Sequence, residues 1–348
     1  MMVVLLGAGA SRAALGEHAP TSREFGRVFV QRDPSWPDRL PFLAGALRYL
    51  AAQDRHIAED DWALDRVWNG IDENYKLIAN SDFQWPGTVP PGRIYSVYRL
   101  RTWRAFWVLA GYEMRRAVNE IYGLRLESVI RLYLEAPGQL STLLRALEPG
   151  DVVASMNYDL LADRILQAKW PRASNCRSEE DARTRTDQHG SLILKLHGSL
   201  DWDFMSHPAE GAWVERTPDR EPIRDRAIDY DAQGWEHRPL IVAPVRFKDD
   251  VLIPGIQPRV LVETLAFQWS RFVDALSRAD EFRVIGYSFP TDDAYGNRMI
   301  QEAVRRRRRG AMLTAHLHVL DDCLEVRNRL QEILPPESLV ECRGPLEN

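Results

Sequence analysis

Two residues of this chain have the type and setting for chemistry on a bound substrate: His197 and Asn157, each at the end of an apolar run. His197 follows Leu192-Ile193-Leu194-Lys195-Leu196 and precedes Gly198, so substrate has room beside an imidazole that titrates near neutral pH and suits a general base. Asn157 follows Asp151-Val152-Val153-Ala154-Ser155-Met156, and Tyr158 and Asp159 lead on into a helix from Leu160 to Lys169. A strand, then asparagine and aspartate, then a helix is an arrangement that aims side chains at a ligand above a parallel sheet. Each has a plainer role open to it: Asn157 and Asp159 could cap that helix, and His197 could be a hydrogen-bonded structural residue. A third stretch, Gly7-Ala8-Gly9-Ala10-Ser11, follows the short apolar strand Val3–Leu6, and its glycines let backbone amides approach a phosphate. Arg12 stands where a dinucleotide fingerprint has its third glycine.

Such residues need elements to hold them on one edge. Further strands are predicted at Pro239–Pro244, at Phe282–Ile285 before Gly286-Tyr287-Ser288, and at Ala315–Leu320 before Asp321, with a helix over Val260–Ala279. Phe289-Pro290-Thr291-Asp292-Asp293 follows Ser288, where another helix begins with a capping residue. Strands and helices alternating along the chain predict an α/β fold, a doubly wound six-stranded parallel sheet of Rossmann-like type. Ligands bind such sheets outside the carboxyl ends of the strands. There the predicted strands end in Gly7–Ser11, in Asn157 with Asp159, in His197, in Gly286–Ser288 and in Asp321, which is the main sequence evidence for a site.

Residues 1–30 and 150–348 are assigned to the sheet domain and 31–149 to a large helical insertion. Thr21 and Glu24 have capping-box spacing ahead of a helix from Phe25 to Val30. The aromatics of a long helix over Ile94–Tyr122 are read as packing, although the aromatic content of the insertion also suggests a protein interface. Residues 171–190 read as a polar loop and 200–238 as an irregular flap.

The composition is that of a soluble globular protein: 348 residues, 45% hydrophobic and 27% charged, with a net charge of −5. That charge gives no general pull toward nucleic acid or anionic membrane, and direct nucleic-acid binding is not expected. The arginine run Arg305–Arg309 reads as a solvated helix end. No run reaches the length of a membrane span, and the opening apolar run lacks the basic flank of a signal peptide. Three widely spaced cysteines, Cys176, Cys323 and Cys342, predict neither a disulfide framework nor a four-cysteine zinc site, which makes a reducing cytoplasm the expected location.

The order GAGAS, SMNYD, LHGS and VIGYS resembles the sirtuin-like family, the silent-information-regulator type of NAD-binding fold. The resemblance implies that Gly7, Ala8, Gly9 and Ser11 hold NAD phosphates, that Asn157 sits against the nicotinamide ribose and the attacking water, and that Asp159 takes the carboxamide. It further implies His197 as general base, Gly286 and Ser288 on the adenosine half, and Asp321 on its ribose. The deacylases of that family carry two zinc-binding cysteine pairs after the histidine motif, whereas residues 200–280 here contain no cysteine. Their glutamine before the asparagine is Met156, and their proline-aspartate-phenylalanine-arginine stretch is replaced by Ala19–Phe25. In these respects the chain resembles the zinc-less bacterial branch that hydrolyses NAD, often in antiphage defence. The activity so implied is that of an NAD+ glycohydrolase with NAD as substrate and no zinc, with a homo-oligomer or a separate sensor or activator protein as partner and with its trigger a partner, self-assembly or a ligand at the helical insertion. The alternatives are a non-catalytic module that senses NAD or ADP-ribose and gates a partner, and a zinc-independent deacylase or ADP-ribosyltransferase.

Overall fold

The computed structural model describes residues 1–53, 57, 62–79, 103–170, 192–207, 211–216, 229–230, 236–241, 258–291, 293–307, 312–319, 323–336 and 338–344. Its strands are β1 (Met2–Leu6), β2 (Val152–Ser155), β3 (Leu192–Lys195), β4 (Gly198–His207), β5 (Gly211–Arg216), β6 (Asp229–Tyr230), β7 (Glu236–Ile241), β8 (Glu281–Ile285), β9 (Thr314–His318) and β10 (Leu339–Cys342).

Six of them form one sheet in the order β10-β9-β8-β1-β2-β3, all parallel. The chain steps outward from β1 through β2 to β3, then crosses back to lay β8 on the other side of β1. That reversal makes the β1/β8 boundary the switch point of a doubly wound sheet, where a crevice opens at the carboxyl ends.

Parallel strands covered on both faces read as unbroken apolar runs, and Val3, Val4, Leu5 and Leu6 are all buried. Successive side chains alternate between the faces. Val4 and Leu6 join the core with helices Phe25–Arg32, Pro41–Gln53, Leu64–Ala79 and Trp103–Asn119, while Val3 and Leu5 join the core with helices Pro258–Arg278, Ala294–Arg305 and Cys323–Ile333. The helices between residues 31 and 149 therefore cover one face of the sheet. Phe106, Trp107 and Tyr112 are buried, whereas Tyr95 and Tyr98 lie outside the described residues.

The membership of the sheet differs from the sequence expectation at one strand. The segment predicted as Pro239–Pro244 begins inside β7, which belongs to a separate antiparallel sheet of order β5-β4-β7-β6. Leu240 and Ile241 pair there with Ser199 and Gly198, so an apolar pair alone does not distinguish the two sheets. The sixth parallel strand is instead β10, an edge strand in which Val340 is the buried residue, too little apolar signal to stand out. The described parts of 200–238 are strands rather than an irregular flap. Residues 171–190 and Asp321 lie outside the described residues.

The cysteine expectation is also corrected. Cys323 and Cys342 form a disulfide with their Cα atoms 6.1 Å apart. β10 runs parallel to β9, so its last residue arrives beside the start of the helix that follows β9, although the two cysteines are 19 residues apart in sequence. The cysteine pattern thus gives no argument for a reducing compartment. No described helix is long and apolar enough to cross a membrane. In the arginine run, Arg307 donates to the carbonyls of Leu276 and Ala279 and so caps the helix Pro258–Arg278, while Arg306 pairs with Glu302 at 2.9 Å.

Glu113, buried in helix Trp103–Asn119, accepts the N–H of Leu43 at 2.7 Å in the first turn of helix Pro41–Gln53. Burial pushes its carboxyl up to about 8, against an ordinary 4.5. The folded protein therefore keeps a proton that the unfolded chain releases, and the contribution of this group to stability is full below about 4.5 and is lost as pH rises toward 8, at up to roughly 1.4 kcal/mol per pH unit. Glu113→Gln should flatten this fall between pH 5 and 8 in denaturant unfolding, and an unchanged pH slope would contradict the assignment.

Candidate functional site

A cleft of about 790 Å³ opens at the carboxyl ends of β1, β2 and β8. Ala8, Gly9, Ser11, Asn157, Asp159, His197, Gly286 and Ser288 line it, so eight residues singled out from the sequence meet in one place. Gly7 does not line it.

The two glycine turns meet backbone to backbone. The N–H of Gly7 donates to the Ile285 carbonyl and that of Gly9 to the Gly286 carbonyl, each at 2.9 Å. A Cβ on Gly7 would stand 2.5 Å from the Gly286 oxygen, and one on Gly286, whose φ is +65°, would stand 2.0 Å from the Ala10 nitrogen. Glycine is required here first for the contact between turns. Because the N–H of Ala10 also donates internally, to Gly7, these three amides are engaged within the protein. Arg12, at the third-glycine position, turns to Glu24 at 3.2 Å.

The floor is a buried polar network. Ser11 Oγ donates to Asp159 Oδ2 at 2.8 Å, and Asn157 Nδ2 donates to Ser11 Oγ at 3.0 Å and to the Gly7 carbonyl at 2.9 Å. Asp159 also caps the next helix, its Oδ1 accepting the Leu161 N–H at 3.0 Å. The capping role is thus realised by Asp159, whereas the Asn157 side chain reaches across to the β1 turn.

Beneath the floor lies Lys195, fully buried in β3. Its Nζ donates to the Asp159 carbonyl at 2.6 Å and lies 3.4 Å from Asp163 Oδ2. A lysine inside an apolar strand was the signal available for this buried pair, and the sequence reading made no use of it.

His197 sits between the rings of Tyr158 and Trp269, with centroids 6.4 and 6.5 Å away. Its Nε2 lies 3.2 Å from Oδ2 of Asp293, which the sequence identified as a helix cap and which does accept the Gly296 N–H at 3.2 Å. Tyr287 donates its hydroxyl to Asp293 Oδ2 at 2.8 Å. Burial, reinforced by the Asp293 charge, pushes the Tyr287 hydroxyl well above the ordinary tyrosine range and keeps it a donor.

The opposite wall comes from the helical region, which sequence reasoning did not connect with the site. Helix Leu64–Ala79 brings Asp65, Asn69 and Glu73 to the cleft at the four-residue spacing of one helix face. A π-helix at Glu120–Leu124 brings Tyr122, whose hydroxyl donates to the Pro20 carbonyl at 2.8 Å. Arg329, from helix Cys323–Ile333, donates to the Ser288 carbonyl at 3.1 Å on the rim.

Neither a protein-family model nor a curated protein matches the chain. The functional reading therefore rests on the site itself and on the motif resemblance.

Removing the Lys195 ammonium takes the cation away from buried Asp163. Lys195→Met is expected to cost about 3–5 kcal/mol in denaturant unfolding, with much of the loss recovered in Lys195→Met/Asp163→Leu. A loss below about 1 kcal/mol would show that the pair does not hold the floor.

Proposed function

We propose that this protein is an NAD+ glycohydrolase that cleaves the nicotinamide–ribose bond to give nicotinamide and ADP-ribose. The observation that carries the proposal is that Asn157 and His197, from the ends of neighbouring strands, line one cleft with the glycine turns at the switch point of the sheet. Pyrophosphate at the β1/β8 turns and a nicotinamide ribose toward Asn157 and His197 suit a dinucleotide lying across that crevice.

The residues also suit the chemistry. In NAD+ the ring nitrogen of nicotinamide is already cationic, so the C1′–N bond breaks with its electron pair returning to the ring and nicotinamide leaves neutral without acid help. What remains is to place one water, exclude the rest and accept a proton as the new C1′–O bond forms. Asn157 would orient the ribose and that water through its amide, and His197 would take the proton. The largely buried floor and the aromatic flanks of His197 keep bulk water from both. On the family resemblance, the consequence in the cell is NAD depletion during antiphage defence, switched on by self-assembly or by a separate activator.

One observation favours a second reading, a module that binds NAD or ADP-ribose without turnover. Ser11, Asn157 and Asp159 are bonded to one another, so a ligand has to exchange contacts the floor already makes. Binding of that kind raises thermal stability by mass action without forming product.

Nicotinamide release from NAD by purified protein separates the two. Loss of about 10²-fold or more in both His197→Ala and Asn157→Ala, with unfolding transitions kept, is the expected result. Wild-type rates in both variants would contradict the assignment, and NAD-dependent stabilisation with no nicotinamide would establish the sensor.

A further inference from the structure

A buried asparagine can present either end of its amide, and its neighbours decide which end reaches the ligand. Asn157 is 8% exposed, and both hydrogens of its Nδ2 are engaged: one goes to the Gly7 carbonyl at 2.9 Å, the other to Ser11 Oγ at 3.0 Å. A carbonyl only accepts, so the end of the amide facing Gly7 has to be the nitrogen. Ser11 is 3% exposed and carries a single hydroxyl hydrogen, which it donates to Asp159 Oδ2 at 2.8 Å while its oxygen accepts from Asn157. Asp159 is itself held, its Oδ1 by the Leu161 N–H and its carbonyl by buried Lys195. Among the described residues no donor meets Asn157 Oδ1, yet this oxygen is not sealed in the interior, and Asn157 lines the cleft. The amide oxygen is therefore the end that the floor leaves for a ligand.

We propose that Ser11 is a positioning residue and not a phosphate ligand: together with the Gly7 carbonyl it locks the Asn157 amide so that Oδ1 alone meets the substrate, as an acceptor for an O–H hydrogen. Phosphate oxygens accept, and the one hydrogen of Ser11 is already placed on Asp159, so a phosphate at the β1 turn finds no donor in this hydroxyl. An acceptor at Oδ1 selects a hydroxyl-bearing group, the ribose of the dinucleotide or the attacking water, over a ligand oxygen that needs a donor. A ligand seated on Ser11 or Asp159 has to exchange the bonds of the floor, whereas one that brings a hydroxyl to Oδ1 leaves them whole.

The catalytic meaning of this inference rests on the NAD-hydrolysis reading, while the orientation of the amide does not, so the test measures both. Full-length protein is labelled with nitrogen-15 at asparagine, and Asn157 is assigned by its loss in Asn157→Ala. Before any ligand is added, its side-chain amide hydrogens should exchange about tenfold or more slowly relative to an exposed asparagine, and faster again in Ser11→Ala. Ser11→Ala should lower kcat for nicotinamide release about 10- to 10²-fold, with KM for NAD and the affinity for ADP-ribose little changed. In Asn157→Ala, weaker ADP-ribose binding supports a bond from Oδ1 to the ribose, and unchanged binding supports one to the water. Amide hydrogens that exchange freely until ADP-ribose is added would overturn the proposal, and that measurement needs no change at Ser11. So would a Ser11→Ala protein that keeps kcat and binds ADP-ribose about tenfold or more weakly, as loss of a phosphate contact requires. A wild-type protein that releases no nicotinamide yet protects the Asn157 amide, and loses that protection in Ser11→Ala, would support the positioning role and count against hydrolysis alone.

Discussion

The structure depends on two turns touching without side chains between them. Gly7 and Gly9 after β1 meet Gly286 after β8 so closely that a methyl group at any of the three would lie within 2.8 Å of the other turn's backbone. This contact joins β1 and β8, the strands on either side of the point where the strand order reverses, and its glycines Gly9 and Gly286 line the cleft. A nucleotide phosphate brought to this place would meet turns already fixed by their own hydrogen bonds, so the ligand need not order the loop.

Polar groups around that contact are held by one another. Asp159 answers to Ser11, to the Leu161 amide and, through its carbonyl, to Lys195; Asp293 answers to His197, Tyr287 and Gly296. An unpartnered buried donor or acceptor costs about 1–3 kcal/mol, so loss of one member is felt by its neighbours. Such interdependence keeps side chains in fixed orientations, which positioning a water and a ribose requires. The helical region contributes beside the sheet, because it covers one face and brings Asp65, Asn69, Glu73 and Tyr122 to the cleft.

The sheet was legible in the sequence where strands are buried on both faces, as in Val3–Leu6, Val152–Ala154 and Leu192–Leu194, because unbroken apolar runs between turns have few other uses. It was not legible in β10, an edge strand with one buried side chain, nor in β7, whose apolar pair serves an antiparallel partner equally well. The candidate site was legible as far as strand ends announce it: eight of the residues found there line one cleft, while Gly7 does not line it and Asp321 lies outside the described residues. Pairings between distant segments left little local trace. Asp293 reads as an ordinary helix cap until His197 is seen 3.2 Å away, and the bridge between Cys323 and Cys342 becomes visible once β10 is laid beside β9. The polar face of helix Leu64–Ala79 looks like a solvated surface until its place opposite the turns is known.

The measurement that bears most directly on this account is a crystal structure of His197→Ala soaked with NAD. The account predicts the pyrophosphate against the β1 and β8 turns near Gly9 and Gly286, with the nicotinamide ribose beside Asn157. A dinucleotide bound anywhere else, or a cleft left empty at saturating NAD, would contradict it.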